Sequence, residues 1–241
     1  MIKPKGRLLM PSELKSTHSI EIKEILNFAD RRFMIKKDTY LFQEGMDADE
    51  LYIVLSGKVQ ISKITSDGRE LSLRIVGAND ICGELTLFTS SPKFLLSAMA
   101  IEDAEICAVK KHTLEREIFQ NSTLAFEFMK WMSDHFRKTQ TKFRDLVLNG
   151  KKGALYSTLI RMTNSYGVKL DNGILIDLPL TNQELANFCG TSRESTNRIL
   201  SELKKESVIS IKKGKIIVHD LPFLKNEIGC ENCPAVYCSI E

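Results

Sequence analysis

The stretch 121–148 constrains this chain more than any other. It contains no glycine and no proline, and Met129, Met132, Phe136, Thr139, Phe143 and Leu146 follow one another at steps of 3, 4, 3, 4 and 3. That spacing is the a/d seam of a helix that meets a second helix. An amphipathic helix lying on its own domain carries a similar pattern. Here the helix would span roughly 40 Å at about 1.5 Å per residue, more than a small domain covers. A helix from a second subunit is therefore the expected cover, and the chain is expected to be a homodimer. Asn149-Gly150 ends the helix and makes a hinge.

The seam divides the chain. Residues 1–120 read as an arm, a short helix over Glu21–Phe28, and then short β-branched runs over 33–118, broken by Gly45, Ser56-Gly57, Ser66-Asp67-Gly68 and Gly77 to Asp80. Asp67-Gly68 between two alternating runs signals a hairpin. The spacing suggests a compact antiparallel barrel or roll. Residues 121–149 are the long helix, 150–228 a second domain and 229–241 a tail. A helix is expected from Ala154 to Tyr166, and short strands at Ile174–Ile176 and Ile216–Val218. The fold class is thus α+β. At 241 residues, with 43% apolar and 27% charged residues, the chain is an ordinary globular one, which excludes collagen-like and largely disordered classes. No apolar run approaches the roughly 20 residues of a membrane span, and the basic N-terminus lacks the apolar core of a signal peptide. A cytoplasmic protein without a membrane partner is expected. His18, His112, His135 and His219 are scattered, so the roll offers no histidine pair or carboxylate–histidine set, and no enzyme is expected.

A net charge of +3 permits nucleic-acid binding without arguing for it, so a local pattern must carry that case. Residues 180–203 supply it. Thr181 with Glu184 three residues on forms a capping box for a helix from about Asn182 to Cys189. Gly190 supplies a tight turn, and Ser192 caps a second helix from Arg193 to about Glu206. Ile199, Leu200 and Leu203 bury one face of that helix, leaving Arg193, Glu194, Asn197 and Arg198 on the other at its N-terminal end. A recognition helix presents its first turns to base edges in the major groove. Arginine can bind guanine O6 and N7 together, and glutamate can accept from cytosine N4. The hairpin from Val208 to Val218 reads as a wing whose Lys212, Lys213 and Lys215 suit phosphate contacts. A charged, solvated helix face is the plainer alternative.

Six cysteines in a cytosolic chain argue against a disulfide framework. Cys82, Cys107 and Cys189 stand singly in apolar surroundings, as core residues do. Cys230, Cys233 and Cys238 crowd the tail at metal-ligand spacing. A Cys-x2-Cys pair followed directly by Pro234 is similar to iron–sulfur ligation, and zinc accepts the same spacing.

Taken in order, these blocks resemble the Crp/Fnr superfamily of bacterial transcription regulators over roughly residues 20–220. The resemblance rests on Phe42-x-x-Gly45, the run from Asp49 through Leu51 and Gly57 to Val59, Gly83-Glu84-Leu85, and the Ser192 to Leu200 recognition helix. It implies a cyclic-nucleotide-binding-like roll, a dimerisation helix and a winged helix-turn-helix. It also implies RNA polymerase as a partner, and a palindromic operator with TGTGA-like half-sites read by Arg193, Glu194, Asn197 and Arg198, with Ser192 and Lys213 also contacting DNA. Cyclic-nucleotide members carry an arginine that neutralises the phosphate, and here Leu96 stands at that position. No cyclic nucleotide is therefore expected, because a buried phosphate without a cation is heavily penalised. Glu84 then keeps only a structural role.

Fnr-type members are oxygen sensors with a [4Fe-4S] cluster and an N-terminal cysteine set, whereas this chain has no cysteine before Cys82. It is similar to the Bacillus-type Fnr, whose motif is C-terminal. The resemblance implies Cys230, Cys233 and Cys238 as ligands and an aspartate near the end of the dimer helix as the fourth, which maps onto Asp145. Asp134 lies about three turns earlier, roughly 16 Å away. The implied activity is mainly activation of anaerobic metabolism genes.

Overall fold

The computed structural model describes residues 24–90 and 92–241. The expected arm lies outside them, as does the first part of the Glu21–Phe28 helix. Residues 24–26 are helical, and Ile25 is buried.

The roll is two antiparallel four-stranded sheets. One orders as β1 (Arg31–Ile35), β8 (Ala104–Lys110), β3 (Glu50–Ser56) and β6 (Asp80–Cys82). The other orders as β2 (Tyr40–Phe42), β7 (Ser97–Ala100), β4 (Val59–Ile64) and β5 (Glu70–Val76). β4 and β5 pair across the expected Asp67-Gly68 turn, with Ile64 opposite Glu70. Phe42 and Phe94 stack at 3.8 Å between ring centroids, with Tyr52 beside them, and these rings fill the space between the sheets. Gly57 is required at the β3–β4 turn. Its φ is +83°, and a Cβ there would lie 2.3 Å from the Asp103 carbonyl oxygen.

The strands stop earlier than the sequence suggests. Lys111–Gln120 is a helix, α1, which buries Leu114 against the roll. α2 (Ser122–Leu148) follows, capped by Asn121, whose side-chain oxygen accepts from the Thr123 and Leu124 N–H groups at 3.0 and 3.1 Å. α2 has two apolar faces. Leu124, Phe128 and Trp131 are buried in the roll's second core cluster. On the seam, Met129, Phe136 and Phe143 are 62%, 63% and 67% exposed, a level that unaccompanied large apolar side chains seldom reach along one stripe.

The expected hinge is a one-residue break. α3 (Gly150–Tyr166) starts directly after Asn149 rather than at Ala154, with Gly150 in left-handed backbone at φ +57° and the Gly153 N–H donating to the Asn149 carbonyl. α3 is buried along nearly its whole length and forms the centre of the second domain. Around it lie β9 (Gly167–Leu170), β10 (Gly173–Ile176), α4 (Asn182–Phe188), α5 (Arg193–Lys205), β11 (Ile209–Lys212), β12 (Lys215–Val218) and α6 (Leu221–Glu227). Its sheet orders β11-β12-β10-β9.

The two domains touch along β5, an edge strand. The Asn187 amide donates to Glu70 at 2.7 Å, and the Lys142 ammonium donates to the Ser72 and Leu73 carbonyls at 2.9 and 2.8 Å. Ile75 of the roll belongs to the core of the second domain. Among the described residues no helix is long and apolar enough to cross a membrane.

Candidate nucleic-acid interface and cysteine site

The reading helix is set by its neighbours. Thr181 Oγ1 accepts from the Glu184 N–H at 3.2 Å, and Glu184 Oε2 accepts from the Thr181 N–H at 2.6 Å, which completes the capping box of α4. Gly190 takes φ +58° at the turn, and Ser192 Oγ accepts from the Ser195 N–H at 3.3 Å to start α5. α5 buries Thr196, Ile199, Leu200 and Leu203. Ser192, Arg193, Glu194, Asn197 and Arg198 are exposed together, as a major-groove reader needs. Hydrogen bonds from its own backbone N–H and from Ser192 hold the Glu194 carboxyl below the usual range, so it faces solvent as an acceptor. The sequence reading missed Asn182, whose amide donates to Asn197 Oδ1 at 2.8 Å and fixes which edge Asn197 presents. In the wing turn Lys212 and Lys213 are exposed, whereas Lys215 pairs with Asp177 and is partly withdrawn from phosphate contact.

The cysteine site lies where α2, α3 and the tail meet. Asp145, Cys230, Cys233 and Cys238 all line one cavity of about 100 Å³ beside the Asn149 break. Among the described residues no three histidine, cysteine or acidic side chains converge closely enough to hold a single metal ion. Asp145 is buried, and both its oxygens are engaged. Oδ2 accepts from Ser157 Oγ and from the Arg161 guanidinium, each at 2.7 Å, and Oδ1 accepts from Arg144 at 2.9 and 3.1 Å. Burial pushes this carboxyl up, but Ser157, Arg161 and Arg144 outweigh it and hold it below the ordinary range. Arg161 is itself 1% exposed and also donates to the Tyr237 carbonyl at 3.2 Å, next to Cys238. Arg144 reaches further out, to Glu231. Burial pushes the Cys238 thiol up, with Arg161 opposing.

Sequence reasoning missed Arg161 and Ser157, whereas Arg144 was expected only as a charged neighbour of Asp145, which it is. The one signal for Arg161 was a charged residue in the middle of an apolar helix, which a folded chain keeps only with a partner. Cys82, Cys107 and Cys189 are buried, burial raises each thiol, and none lines the cavity. Glu84 accepts from Arg74 at 3.0 Å inside the roll, and Leu96 packs against the roll core.

A roll, a long helix with an open apolar seam and a winged helix-turn-helix with an exposed reading face together define a DNA-binding transcription regulator. Residues 32–121 match the family described as cyclic nucleotide-binding domain, and residues 154–227 match the Crp-like helix-turn-helix domain. The chain is 55% identical over 224 residues to the anaerobic regulatory protein of Bacillus subtilis, covering 92% of this chain and 94% of that one. It is 31% identical to the lactate racemization regulatory protein of Lactiplantibacillus plantarum, covering 80% and 89%. Among solved structures, the c-di-GMP responsive global regulator CLP of Xanthomonas campestris superposes with a TM-score of 0.73 at 24% identity, covering 83% of this chain and 98% of that one. A CooA variant from Carboxydothermus hydrogenoformans gives 0.73 at 21% identity, covering 92% and 98%. These two likenesses show the fold. The chain belongs to the Crp/Fnr family of transcription regulators, whose members bind DNA and form dimers.

Proposed function

We propose that this regulator senses oxygen through a [4Fe-4S] cluster held by Cys230, Cys233, Cys238 and Asp145, and that with the cluster in place it activates genes of anaerobic metabolism. One observation carries the reading: the three tail cysteines and one aspartate of the dimer helix line the same cavity, although Cys230 lies 85 positions after Asp145. The donor set suits the group. Three thiolates and one carboxylate would supply the four protein ligands that a [4Fe-4S] cluster takes, and all four line one cavity. Zinc accepts the same cysteine spacing, so metal content decides between the two. The Bacillus subtilis relative, described as an anaerobic regulatory protein, points the same way.

When bound, an iron–sulfur cluster supplies redox chemistry that oxygen attacks. The chain's own residues prepare for it. Arg161 and Arg144 offset the negative charge that three thiolates bring to the site. Asp145 is a harder and weaker donor to iron than thiolate, which makes one corner easy to lose. All four acceptor positions of its carboxylate are used here, so ligation requires it to give up a donor. Arg144, whose side chain is 35% exposed, is the one that water can replace.

The DNA half of the proposal is a dimer on an inverted repeat of TGTGA-like half-sites, with Arg193, Glu194, Asn197 and Arg198 on base edges, Ser192 and Lys213 on the backbone, and RNA polymerase recruited alongside. Cyclic nucleotides stand outside it, because Leu96 offers no charge to a phosphate and Arg74, which lines the same cavity as Leu96, is already paired with Glu84 and Asp80. Protein purified without oxygen should be brown and hold iron and sulfide. Single Cys230→Ala, Cys233→Ala and Cys238→Ala variants should lose the colour and the anaerobic activation together. A colourless protein that releases zinc overturns the cluster reading.

A further inference from the structure

We infer that the last three residues, Ser239–Glu241, are a latch that fastens the cysteine site to the open edge of β5 in the roll, so that the state of Cys238 is passed directly to the joint between the two domains.

β5 is the outer strand of its sheet, and an outer strand exposes backbone groups that need partners. Two of its carbonyls, Ser72 and Leu73, are taken by Lys142 of α2. The Ile75 N–H donates to the Ile240 carbonyl at 3.1 Å, as a neighbouring strand would accept it. On its other side the Ile240 N–H donates to Ser165 Oγ of α3 at 2.9 Å. The Ile240 side chain is 2% exposed and lies with Ile75 in the core of the second domain. One residue near the C-terminus thus joins the roll to the centre of the DNA-binding domain.

The latch is continuous with the cysteine site. The Cys238 carbonyl accepts from the Asn164 amide at 2.6 Å, and the Tyr237 carbonyl accepts from Thr141 of α2 and Arg161 of α3, each at 3.2 Å. Ile240 is two steps along the chain from Cys238, a reach of about 7 Å even when fully extended. Backbone bonds on both sides leave no slack to absorb a shift of Cys238. A tail that served only to hold ligands would have no need to bury an isoleucine beyond the last cysteine.

The inference rests on Cys238 being a ligand, so the test separates the two ideas. A chain ending at Ser239 removes the latch, and Ser165→Ala removes only one of its bonds without touching the cavity. In both, hydrogen exchange at the Ile75 amide should speed up by about tenfold or more, as it does when a local tie opens. The visible colour should remain. The ratio of operator affinities, cluster-loaded over cluster-free, should fall toward one in the truncated dimer and partway in Ser165→Ala. Unchanged Ile75 protection, or a ratio equal to that of the full chain, overturns the latch. A full-length protein without colour overturns the cluster reading instead, and the Ile75 exchange then decides whether the latch exists.

Discussion

Replacing Arg161 with methionine should destabilise the protein by about 3 kcal/mol. The guanidinium is 1% exposed and makes a 2.7 Å charge-assisted bond to Asp145, with longer bonds to Ser157 and the Tyr237 carbonyl at 3.3 and 3.2 Å. Methionine fits the length of the side chain but donates nothing, so the buried carboxylate loses its internal cation. Breaking a buried ion pair from one side costs about 3–5 kcal/mol. The lower end applies because Asp145 keeps its bonds to Ser157 and to the partly exposed Arg144. With a urea slope of about 2 kcal/mol per molar, the unfolding midpoint should drop by about 1.5 M. Pairing it with Asp145→Asn in a double-mutant cycle isolates the interaction. The double variant should lose less than the sum of the two single variants, by about 2 kcal/mol, since no unpaired charge then remains buried. A loss below about 1 kcal/mol for Arg161→Met, or two additive substitutions, would refute the claim that this pair organises the site.

Three further outcomes follow from other parts of the fold. Phe136→Asp puts a charge on the seam where Phe136 is 63% exposed in the single chain; sedimentation should show monomers that no longer bind operator, and a stable dimer would mean the seam is not the interface. Arg198→Ala should weaken operator binding by about 1–3 kcal/mol and relax selectivity at one guanine, read by selection from random DNA. Burial pushes the Lys142 ammonium down to about 7, with Cys189 opposing and Arg161 adding to the shift. Its folded value lies below its ordinary 10.5, so the unfolded chain binds more protons between those values and stability should rise with pH across that window. Urea midpoints at pH 7 and pH 9 should differ in that sense in the native chain, and less so in Lys142→Met.

Much of this molecule was legible from spacing alone. The a/d steps marked a stripe on which Met129, Phe136 and Phe143 are exposed, although Met132 and Leu146 turn to the cores of the two domains, and Asp67-Gly68 marked the β4–β5 hairpin, because local geometry sets both. The capping box at Thr181, the Gly190 turn and the Ser192 cap placed both helices of the reading motif to within a residue or so. α1 was missed because Lys111–Gln120 follows a strand without a glycine or proline to mark the change. The second apolar face of α2, with Leu124, Phe128 and Trp131, was hidden by the stronger seam pattern. The Asp145–Arg161 pair joins two helices and the Ile75–Ile240 bond joins the roll to the tail, and no periodicity encodes such contacts. The spacing of the three cysteines suggested a metal site and the family resemblance pointed to Asp145, while spacing alone did not reveal that all four line one cavity.

The central claim is that the cysteine site governs DNA reading across the joint between the two domains. The most direct measurement is the operator affinity of the cluster-loaded and the cluster-free dimer, taken without oxygen at a single salt concentration, since phosphate contacts make affinities at different salt incomparable. The seam of α2 needs no atom of the cluster, so both forms should sediment as dimers, and the loaded dimer should bind the specific operator more tightly while both bind random DNA alike. Equal operator affinities for the two dimers would contradict the account and leave the cysteine tail with a structural role alone.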